Sequence, residues 1–444
     1  MSREVVVKQM SELVKLLHQR LQEAARPQPG RERISVPLTL QQRSSLLPWL
    51  AAQPIFPQFY WRQRDDKEEA AVCGEVVRFN DAASARQFLI SNDVGNMRIW
   101  GLNTFDQVEA PSADRPKSAL FLPRIEMLRD ADGARLVVNL YSETSLADDV
   151  ALAQQSLKLL TAGEPLAPLN VKINAVHHQP EKQGWCDLLE QALEAISQGQ
   201  FEKVVLARQS TLSLNAPLNP AAFLNASAAV NHHCFHFMMR MDRETAFLGS
   251  SPECLFLRMG RSLTTEALAG TVASSPDNQE AKRLGDWLMR DKKNQHENLL
   301  VVDDICQRLQ GGILAIDVLP AEIVRLRKVQ HLRRCIHADL AKIDDADSLQ
   351  RLQPTAAVAG LPREPARQFI LQFEPFTRGW YAGSAGYLSL NQTEFAVSLR
   401  SALIEGNNIH LYAGAGIVAE SDPQQEWLEI ENKAAGLRTL LERE

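Results

Sequence analysis

Several features that would assign a function at once are absent from this sequence of 444 residues. The six cysteines form no C-x-x-C pair and the ten histidines form no H-E-x-x-H motif, so neither a redox dithiol nor a zinc centre is indicated. No apolar run reaches the roughly 18 residues that a membrane span needs. The net charge of −6, with both signs mixed along the chain, gives no basic surface for nucleic acid or an anionic membrane. We therefore expect a soluble, cytoplasmic protein with reduced cysteines and with neither nucleic-acid nor membrane partners.

The composition is that of an ordinary globular protein, with 45% hydrophobic, 23% charged and 6% aromatic residues. Residues 2–25 repeat apolar side chains at steps of three and four, which predicts an amphipathic helix. The segment 161–168 contains glycine and proline and loses this periodicity, so it is a plausible boundary. We expect an N-terminal α+β lobe over residues 1–180 and a second region over residues 181–444.

Helices and strands interleave in the second region without a regular βαβ repeat. This order favours an α+β fold with two mixed β-sheets packed together and flanked by helices. Helices are predicted at 183–199, 277–310 and 422–442, and strands at 204–214, 234–240, 245–249, 254–257, 384–390, 394–404 and 409–413.

The last predicted helix carries the most informative charges. Asp422 is suited to cap its first turn, and Pro423 to the first helical position, where the missing N–H costs nothing. Glu426, Glu429 and Lys433 follow at steps of three and four and therefore share one face. For the helix taken alone, a solvated charged face with pairs four residues apart is the usual explanation of this pattern.

Other chemically suggestive residues are weak evidence when each is taken singly. Glu297 lies in a predicted helix, and a carboxylate pair from two helices would suit Mg²⁺, although spacing cannot show that Glu297 meets Glu429. Lys203 begins an apolar strand, where a lysine usually extends to water. Glu253 lies in a polar turn, and the small residues around Gly270 would let a backbone approach a ligand closely.

Taken together and in order, these elements resemble the chorismate-utilising enzyme family over roughly residues 181–440. The matching segments are the strand with Lys203, Gly249-Ser-Ser-Pro-Glu253, Ala267-Leu-Ala-Gly-Thr271, Glu297-Asn-Leu-Leu-Val-Val-Asp303, Gln353-Pro-Thr-Ala-Ala-Val-Ala-Gly-Leu-Pro362, Tyr381-Ala-Gly-Ser-Ala-Gly-Tyr387, Ser398-Leu-Arg-Ser-Ala402, Tyr412-Ala-Gly-Ala-Gly-Ile417 and Ser421-Asp-Pro-Gln-Gln-Glu-Trp-Leu-Glu-Ile-Glu-Asn-Lys433. The resemblance makes 181–444 a chorismate-binding catalytic region.

Within the family, the sequence looks most like the isochorismate synthase branch of menaquinone biosynthesis. Phe56-Pro-Gln-Phe-Tyr-Trp61 and Arg98-Ile-Trp-Gly-Leu-Asn103 look like that branch. Aminodeoxychorismate synthases have a nucleophilic lysine where this chain has Ala269. Enzymes that add ammonia have glutamine in place of Lys203, so the resemblance implies water as the nucleophile and no glutamine amidotransferase subunit.

The resemblance also implies roles for individual residues. Lys203 would be the general base and Glu253 the general acid in converting chorismate to isochorismate. A partly desolvated pocket would keep both groups uncharged, provided that they flank the substrate ring without touching each other. The implied metal ligands for Mg²⁺ are Glu297 and Glu429, and the implied substrate-binding residues are Gly270, Thr271, Tyr381, Arg400, Gly414, Gly416 and Lys433.

The chain departs from many relatives at two positions. Gln353 stands where they have histidine before Pro-Thr, so we expect it to form hydrogen bonds and to transfer no proton. Asn298 stands where others have histidine after the metal-binding glutamate. Two other functions remain open on these motifs: a salicylate synthase, which would go on to eliminate pyruvate, and a catalytically silent chorismate-binding protein. The sequence gives no oligomeric state.

Overall fold

Eleven helices and twenty strands lie in residues 3–39, 45–107 and 117–442, the part of the chain that the computed structural model describes. The helices are α1 (Arg3–Ala24), α2 (Leu47–Ala52), α3 (Ala82–Asn92), α4 (Leu146–Lys158), α5 (Lys182–Ser197), α6 (Pro220–Val230), α7 (Asn278–Leu288), α8 (Lys292–Leu309), α9 (Asp345–Leu352), α10 (Arg363–Phe373) and α11 (Pro423–Arg438). The first ten strands are β1 (Gly30–Leu38), β2 (Gln58–Arg62), β3 (Glu69–Phe79), β4 (Ile99–Asn103), β5 (Ser118–Asp130), β6 (Gly133–Ser142), β7 (Ile173–Gln179), β8 (Lys203–Leu214), β9 (Phe235–Arg240) and β10 (Thr245–Ser251). The other ten are β11 (Cys254–Met259), β12 (Ser262–Ala273), β13 (Ile313–Val318), β14 (Glu322–Arg325), β15 (Val329–Leu340), β16 (Gly360–Leu361), β17 (Ser384–Leu388), β18 (Gln392–Val397), β19 (Ser401–Glu405) and β20 (Asn408–Ile417).

The strands form one hydrogen-bonded sheet, and every pairing within the described ranges is antiparallel. One run of neighbouring strands passes through β7, β8, β20, β19, β10, β9, β2 and β3 to β5. A second run leaves β5 through β4, β17, β18, β11 and β12 to β15. The long strand β5 belongs to both runs because different parts of it pair with β3 and β4.

The two runs pack face to face around a common aromatic core. Trp61 of β2 meets Tyr387 of β17 edge-on, with ring centroids 6.4 Å apart, and Phe59 lies 6.0 Å from Trp100 of β4. Burying such large apolar side chains supplies most of the favourable free energy of folding. The predicted α+β fold of two packed layers with flanking helices is confirmed, but the strand pairing is antiparallel rather than mixed. Short hairpins and returning helices suffice for this, whereas parallel pairs need long crossovers.

A second core lies on the outer side of the sheet, beneath α1, α2, α4 and α6. The apolar stripe of α1 reaches it through Leu17 and Leu21, which are fully buried, and Arg20 Nη1 donates to the Ser35 carbonyl of β1 at 2.9 Å. The predicted N-terminal helix therefore packs on the first lobe. Across the described ranges, none of the helices combines the length and the apolar character that crossing a bilayer requires.

Two predicted elements are divided in the structure. The segment 277–310 is two helices, because Asp291 interrupts the first and caps α8 by accepting from the Asn294 amide. The segment 394–404 is two strands, β18 and β19, separated at Arg400, whose φ of 46° is incompatible with a strand.

The division of the chain near residue 180 stays a prediction. Strand β2 pairs with β9, and β4 pairs with β17, so backbone hydrogen bonds join the two predicted regions. Strand β7 likewise pairs with β8 across the boundary. Residues from both regions consequently contribute to one core.

Candidate active site

The proposed base lies at the start of a central strand. Helix α5 ends at Ser197, Gly199 follows with a φ of 74°, and β8 begins at Lys203. Glycine adopts this left-handed conformation without the penalty that a side chain would add. The side chain of Lys203 is fully buried, and its Nζ lies 3.1 Å from Oε1 of Glu297 on α8.

The proposed acid lies in the turn between β10 and β11. Glu253 is 2% exposed, and its carbonyl accepts from the Val397 amide at 3.0 Å. Burial, and secondly the negative charge of Glu266, raise the pKa of Glu253 to about 8, against the opposing charges of Lys203 and other cations. A carboxyl with this pKa holds its proton at neutral pH, as a general acid requires. Among the residues described, the ion pair of Lys203 is with Glu297 and none joins it to Glu253; their roles as base and acid stay predictions.

The segment of Gly270 and Thr271 forms an irregularity in β12. The pairing register with β15 shifts between Leu268 and Thr271, and Gly270 has a φ of 87°. A Cβ on Gly270 would lie only 3.0 Å from the Asn294 carbonyl oxygen of α8, so a side chain has little room here. The Thr271 amide donates to Asn294 Oδ1 at 2.9 Å and is therefore already engaged within the protein.

A buried histidine joins two of the predicted substrate-binding residues. Nη2 of Arg400 lies 2.9 Å from Nε2 of His331, and Nδ1 of His331 lies 3.1 Å from the Thr271 hydroxyl. Burial, followed by the positive charges of Arg400 and Lys433, lowers the pKa of His331 well below its ordinary value, so the ring is neutral. A guanidinium can only donate, so we assign the imidazole proton to Nδ1, which donates to Thr271. The hydroxyl hydrogen of Thr271 can then point to an acceptor in the cavity.

Two stacked tyrosines form another wall. The rings of Tyr381 and Tyr412 are 5.0 Å apart and nearly parallel, with an interplanar angle of 11°. Burial raises the pKa of Tyr381 to about 12, so its hydroxyl remains a hydrogen-bond donor. A Cβ on Gly414 would lie 2.8 Å from this hydroxyl, which explains why the position has no side chain.

Helix α11 begins as predicted. Asp422 accepts from the amides of Gln424 and Gln425, and Pro423 occupies the first turn. Lys433 Nζ lies 2.5 Å from Oε1 of Glu429, one helical turn before it, and donates to the Gly414 carbonyl at 2.8 Å. The charged face of the helix therefore points toward the sheet and is not simply a solvated surface.

The carboxylates of α8 and α11 share one neighbourhood. Glu426 forms an ion pair with Lys293 of α8 at 2.6 Å. Burial opposes the charge of Lys293, but Glu426, Glu297 and Glu429 together outweigh it and raise the pKa of Lys293. Burial by itself would raise the pKa of Glu429. The charges of Lys433, Lys293 and Arg400 exceed this effect and hold the pKa of Glu429 below its ordinary value.

This donor set fits a magnesium ion better than a metal held by protein ligands alone. Carboxylate oxygens are hard ligands, and Mg²⁺ usually takes one or two of them together with waters and substrate oxygens. Across residues 3–39, 45–107 and 117–442, no group of three or more His, Cys, Asp or Glu side chains could hold a metal ion. The pair of Glu297 and Glu429 therefore remains a predicted site with incomplete protein ligation.

Nine of the eleven predicted residues line one cavity, with an empty volume of about 580 Å³ that is partly open to solvent. They are Glu253, Gly270, Thr271, Glu297, Tyr381, Arg400, Gly414, Gly416 and Lys433. The other two do not line the cavity themselves but contact residues that do: Lys203 contacts Glu297, and Glu429 contacts Lys433. A Cβ on Gly416 would lie 2.2 Å from Glu297 Oε1 and 2.8 Å from Cε of Lys203, so the bare backbone there leaves room for their ion pair.

Sequence reasoning missed three residues that shape this cavity. His331 and Tyr412 line it, and Asn294 holds the Thr271 amide. His331 is one of ten dispersed histidines, and only the pairing of β12 with β15 brings it beside Thr271. The helix cap at Asp291 was the one local signal that could have directed attention to Asn294.

The two departures from the family pattern have structural explanations. Gln353 is buried and donates to the Thr104 carbonyl at 2.6 Å, and it does not line the cavity. This agrees with a hydrogen-bonding role. Asn298 donates to the carbonyls of Ala267, Ala269 and Leu332 and so fastens α8 to the strand that carries Gly270.

Comparisons with known proteins identify the family of the chain. A model of the chorismate binding enzyme family matches residues 19–442. Isochorismate synthase MenF of Escherichia coli (strain K12) is 54% identical over 417 residues, which are 94% of this chain and 95% of that protein. The chain therefore belongs to the chorismate binding enzyme family.

Solved structures give the same result. The structure of MenF, the menaquinone-specific isochorismate synthase from Escherichia coli, matches with a TM-score of 0.93 at 51% identity, covering 98% of this chain and all of that one. Anthranilate synthase component I from Streptococcus pneumoniae TIGR4 matches with a TM-score of 0.62 at 22% identity, covering 87% of this chain and 91% of that one. The second likeness concerns the fold alone.

Proposed function

We propose that the protein is an isochorismate synthase that converts chorismate to isochorismate in menaquinone biosynthesis. The observation that carries the proposal is the buried Glu253, whose pKa is raised to about 8, in a cavity that also presents Arg400, Tyr381 and Lys433. This arrangement offers an acid for a leaving hydroxyl and cationic or hydroxyl donors for a substrate with two carboxylates. The identity to MenF over nearly the whole chain supports the same activity.

The reaction exchanges one water molecule for another. Water adds at ring carbon C2, the C4 hydroxyl leaves, and the ring double bonds shift between these positions. Lys203 takes a proton from the attacking water, and Glu253 gives its proton to the departing hydroxyl, which leaves as water. Both groups then return to their starting state by proton exchange with solvent, so the net reaction is an isomerisation and is reversible.

The general-base role requires one change from the structure as described. An ammonium group that is paired with a carboxylate cannot accept a proton, and Lys203 lies 3.1 Å from Glu297. This contact must open when the substrate binds, and the ammonium must release its proton before Lys203 can accept one from water. Glu253 needs no such change, because its carboxyl is already held in the protonated form.

The substrate carboxylates are bound by complementary donors. Arg400 and Tyr381 hold the enolpyruvyl carboxylate near the backbone of Gly414 and Gly416, since a guanidinium forks onto a carboxylate with defined orientation. Lys433 adds positive potential. The ring carboxylate lies near Gly270 and Thr271, where the threonine hydroxyl is directed by His331.

Magnesium completes the proposed site. Glu297 and Glu429 would hold Mg²⁺, and the ion would supply a positive charge for the ring carboxylate while electron density shifts toward it. Excess chelator is expected to abolish turnover, and added Mg²⁺ to restore it. Full activity in chelator would remove the metal from the mechanism.

The proposal includes the setting of the enzyme. All six cysteines are free thiols, which suits the reducing cytoplasm. The chain is expected to act without a glutamine amidotransferase subunit because water, not ammonia, is the nucleophile. We propose no nucleic-acid or membrane partner.

One incubation tests the assignment. Purified protein with chorismate and Mg²⁺ should yield isochorismate in equilibrium with chorismate, as separated by chromatography. Salicylate with pyruvate would instead identify a salicylate synthase, and unchanged chorismate would indicate a silent binding protein. Lys203→Ala should lower kcat by about a hundredfold or more while retaining chorismate binding. The matched control is Lys172→Ala, which alters an exposed lysine.

A further inference from the structure

The hairpin that joins β2 to β3 reaches the residues on both sides of the proposed general acid. Arg64 lies in this turn, and its Nη1 donates to the Pro252 carbonyl at 2.8 Å. The same guanidinium donates two hydrogen bonds to Glu266 of β12, from Nη1 to Oε1 at 2.7 Å and from Nη2 to Oε2 at 3.1 Å. Such a forked contact fixes orientation as well as charge.

Glu266 in turn binds the backbone on the C-terminal side of Glu253. It is 3% exposed, and its Oε1 accepts from the Cys254 amide at 2.7 Å. Arg333 approaches the second oxygen at 3.7 Å but bonds mainly to Glu322. Arg64 is therefore the principal partner of the Glu266 carboxylate.

These contacts bind both peptide groups that flank Glu253. The carbonyl before it is held by Arg64, and the amide after it is held by Glu266. The same turn also holds β18, because Gln63 donates to both oxygens of Glu394. Strand β11 begins directly after Glu253 and pairs with β12 and β18. The hairpin turn therefore holds both strands that flank β11.

We propose that Arg64 and Glu266 are positioning residues for the general acid, and that their ion pair fastens the Pro252–Cys254 segment so that the Glu253 carboxyl faces the cavity. This inference rests on the proposed function, because it presupposes the acid role of Glu253. It gives the N-terminal hairpin a part in catalysis although no residue of that hairpin lines the cavity.

The electrostatic surroundings supply a readout that a purely structural role would not move. Burial and the charge of Glu266 favour the protonated form of Glu253, whereas Lys203 of β8, Arg400 before β19 and Lys433 of α11 favour the charged form. Replacing Glu266 by an uncharged side chain leaves the three cations unopposed. The pH above which activity is lost should then move downward.

Four variants test the inference: Arg64→Gln, Arg64→Lys, Glu266→Gln and the double variant Arg64→Gln/Glu266→Gln. The matched control is Arg325→Gln. A second cavity, separate from the candidate active site, is lined by both Arg64 and Arg325. Arg325 forms its hydrogen bonds there with Asn278 and the Ser275 carbonyl, and not with Glu266. kcat and KM for chorismate, the pH profile of kcat/KM and the thermal midpoint are measured for each.

Arg64→Gln and Glu266→Gln should lower kcat by about tenfold to a hundredfold, as a displaced catalytic group does, with KM changed less than about threefold. Arg64→Lys should restore part of the loss. Glu266→Gln should also move the basic limb of the profile to lower pH, and the double variant should lose no more than the worse single variant. The control should behave as wild type.

Normal kcat in folded Arg64 variants, or losses that multiply in the double variant, would overturn the inference. If Glu266→Gln does not fold, the Arg64→Lys and Arg64→Gln pair decides by itself. An inactive wild-type protein would instead refute the proposed function, so the two failures are distinguishable.

Discussion

Keeping Glu253 protonated should cost the protein stability at high pH. The pKa of this carboxyl rises from 4.5 in the unfolded chain to about 8 in the folded protein. Between these values the folded protein keeps a proton that the unfolded chain has released, so stability falls as pH rises. The loss is absent below about 4.5 and complete above about 8, and at about 1.4 kcal/mol per pH unit it reaches about 5 kcal/mol.

Glu253→Gln removes this cost because glutamine does not ionise. At about 2.1 cal/mol/K per residue, the unfolding entropy of 444 residues is about 0.9 kcal/mol/K. The variant should therefore unfold about 5 °C higher than wild type at pH 8.5, and within about 1 °C of it at pH 5. The assay is thermal unfolding at both pH values, without substrate and in chelator.

The comparison is made on the pH dependence and not on a single melting point. A difference in unfolding temperature that is the same at every pH reflects altered hydrogen bonding in the variant. Only a difference that grows with pH reflects the proton held by Glu253. Glu202→Gln, at an exposed position, is the control and should show no widening gap. If the unfolding temperatures of Glu253→Gln and wild type differ by the same amount at pH 5 and at pH 8.5, the reasoning is refuted.

Three further predictions concern activity. In the wild type, kcat/KM should fall as pH rises through about 8, because Glu253 must be protonated in the free enzyme, and a pH series of initial rates checks this. Arg400→Gln should raise KM for chorismate by about tenfold to a hundredfold through loss of a charged hydrogen bond, measured by steady-state kinetics; an unchanged KM would remove Arg400 from substrate binding. Gly414→Ala places a Cβ 2.8 Å from the Tyr381 hydroxyl and should also raise KM. Gly260→Ala, at a glycine with a φ of 58° and no neighbour within 4 Å, is the control: it should lower stability through backbone strain and leave KM unchanged.

The extent to which sequence predicted the fold follows from the range of the interactions involved. The start of α11 was predictable because Asp422 and Pro423 act within one turn of the helix. The break between α7 and α8 also has a local cause, the cap at Asp291, but the surrounding periodicity concealed it. The direction of strand pairing had no local signal, since it depends on which strands meet after the chain has folded.

The same distinction applies to the site. The family motifs placed Glu253, Thr271 and Arg400 in one cavity. The contacts that set their states are distant along the chain: Arg400 meets His331 across 69 positions, and Arg64 meets Glu266 across 202. Patterns within one segment carry no information about such partners.

The placement of lysines distinguishes Glu429 from Glu253, two carboxyls of the site whose pKa values are shifted in opposite directions. Glu429 lies 2.5 Å from Lys433 Nζ, and the effect of burial is outweighed by the charges of Lys433, Lys293 and Arg400, which lower its pKa. For Glu426, burial and the charge of Glu429 outweigh the ion pair with Lys293 and raise the pKa to about 7. Among the described residues no ion pair reaches Glu253, and burial together with the charge of Glu266 outweighs the charges of Lys203, Arg400 and Lys433. Glu429 is thereby kept charged and able to bind a cation, whereas Glu253 is kept as an acid. A site of this kind needs a lysine in direct contact with the carboxylate that binds a cation, and none in direct contact with the carboxyl that acts as an acid.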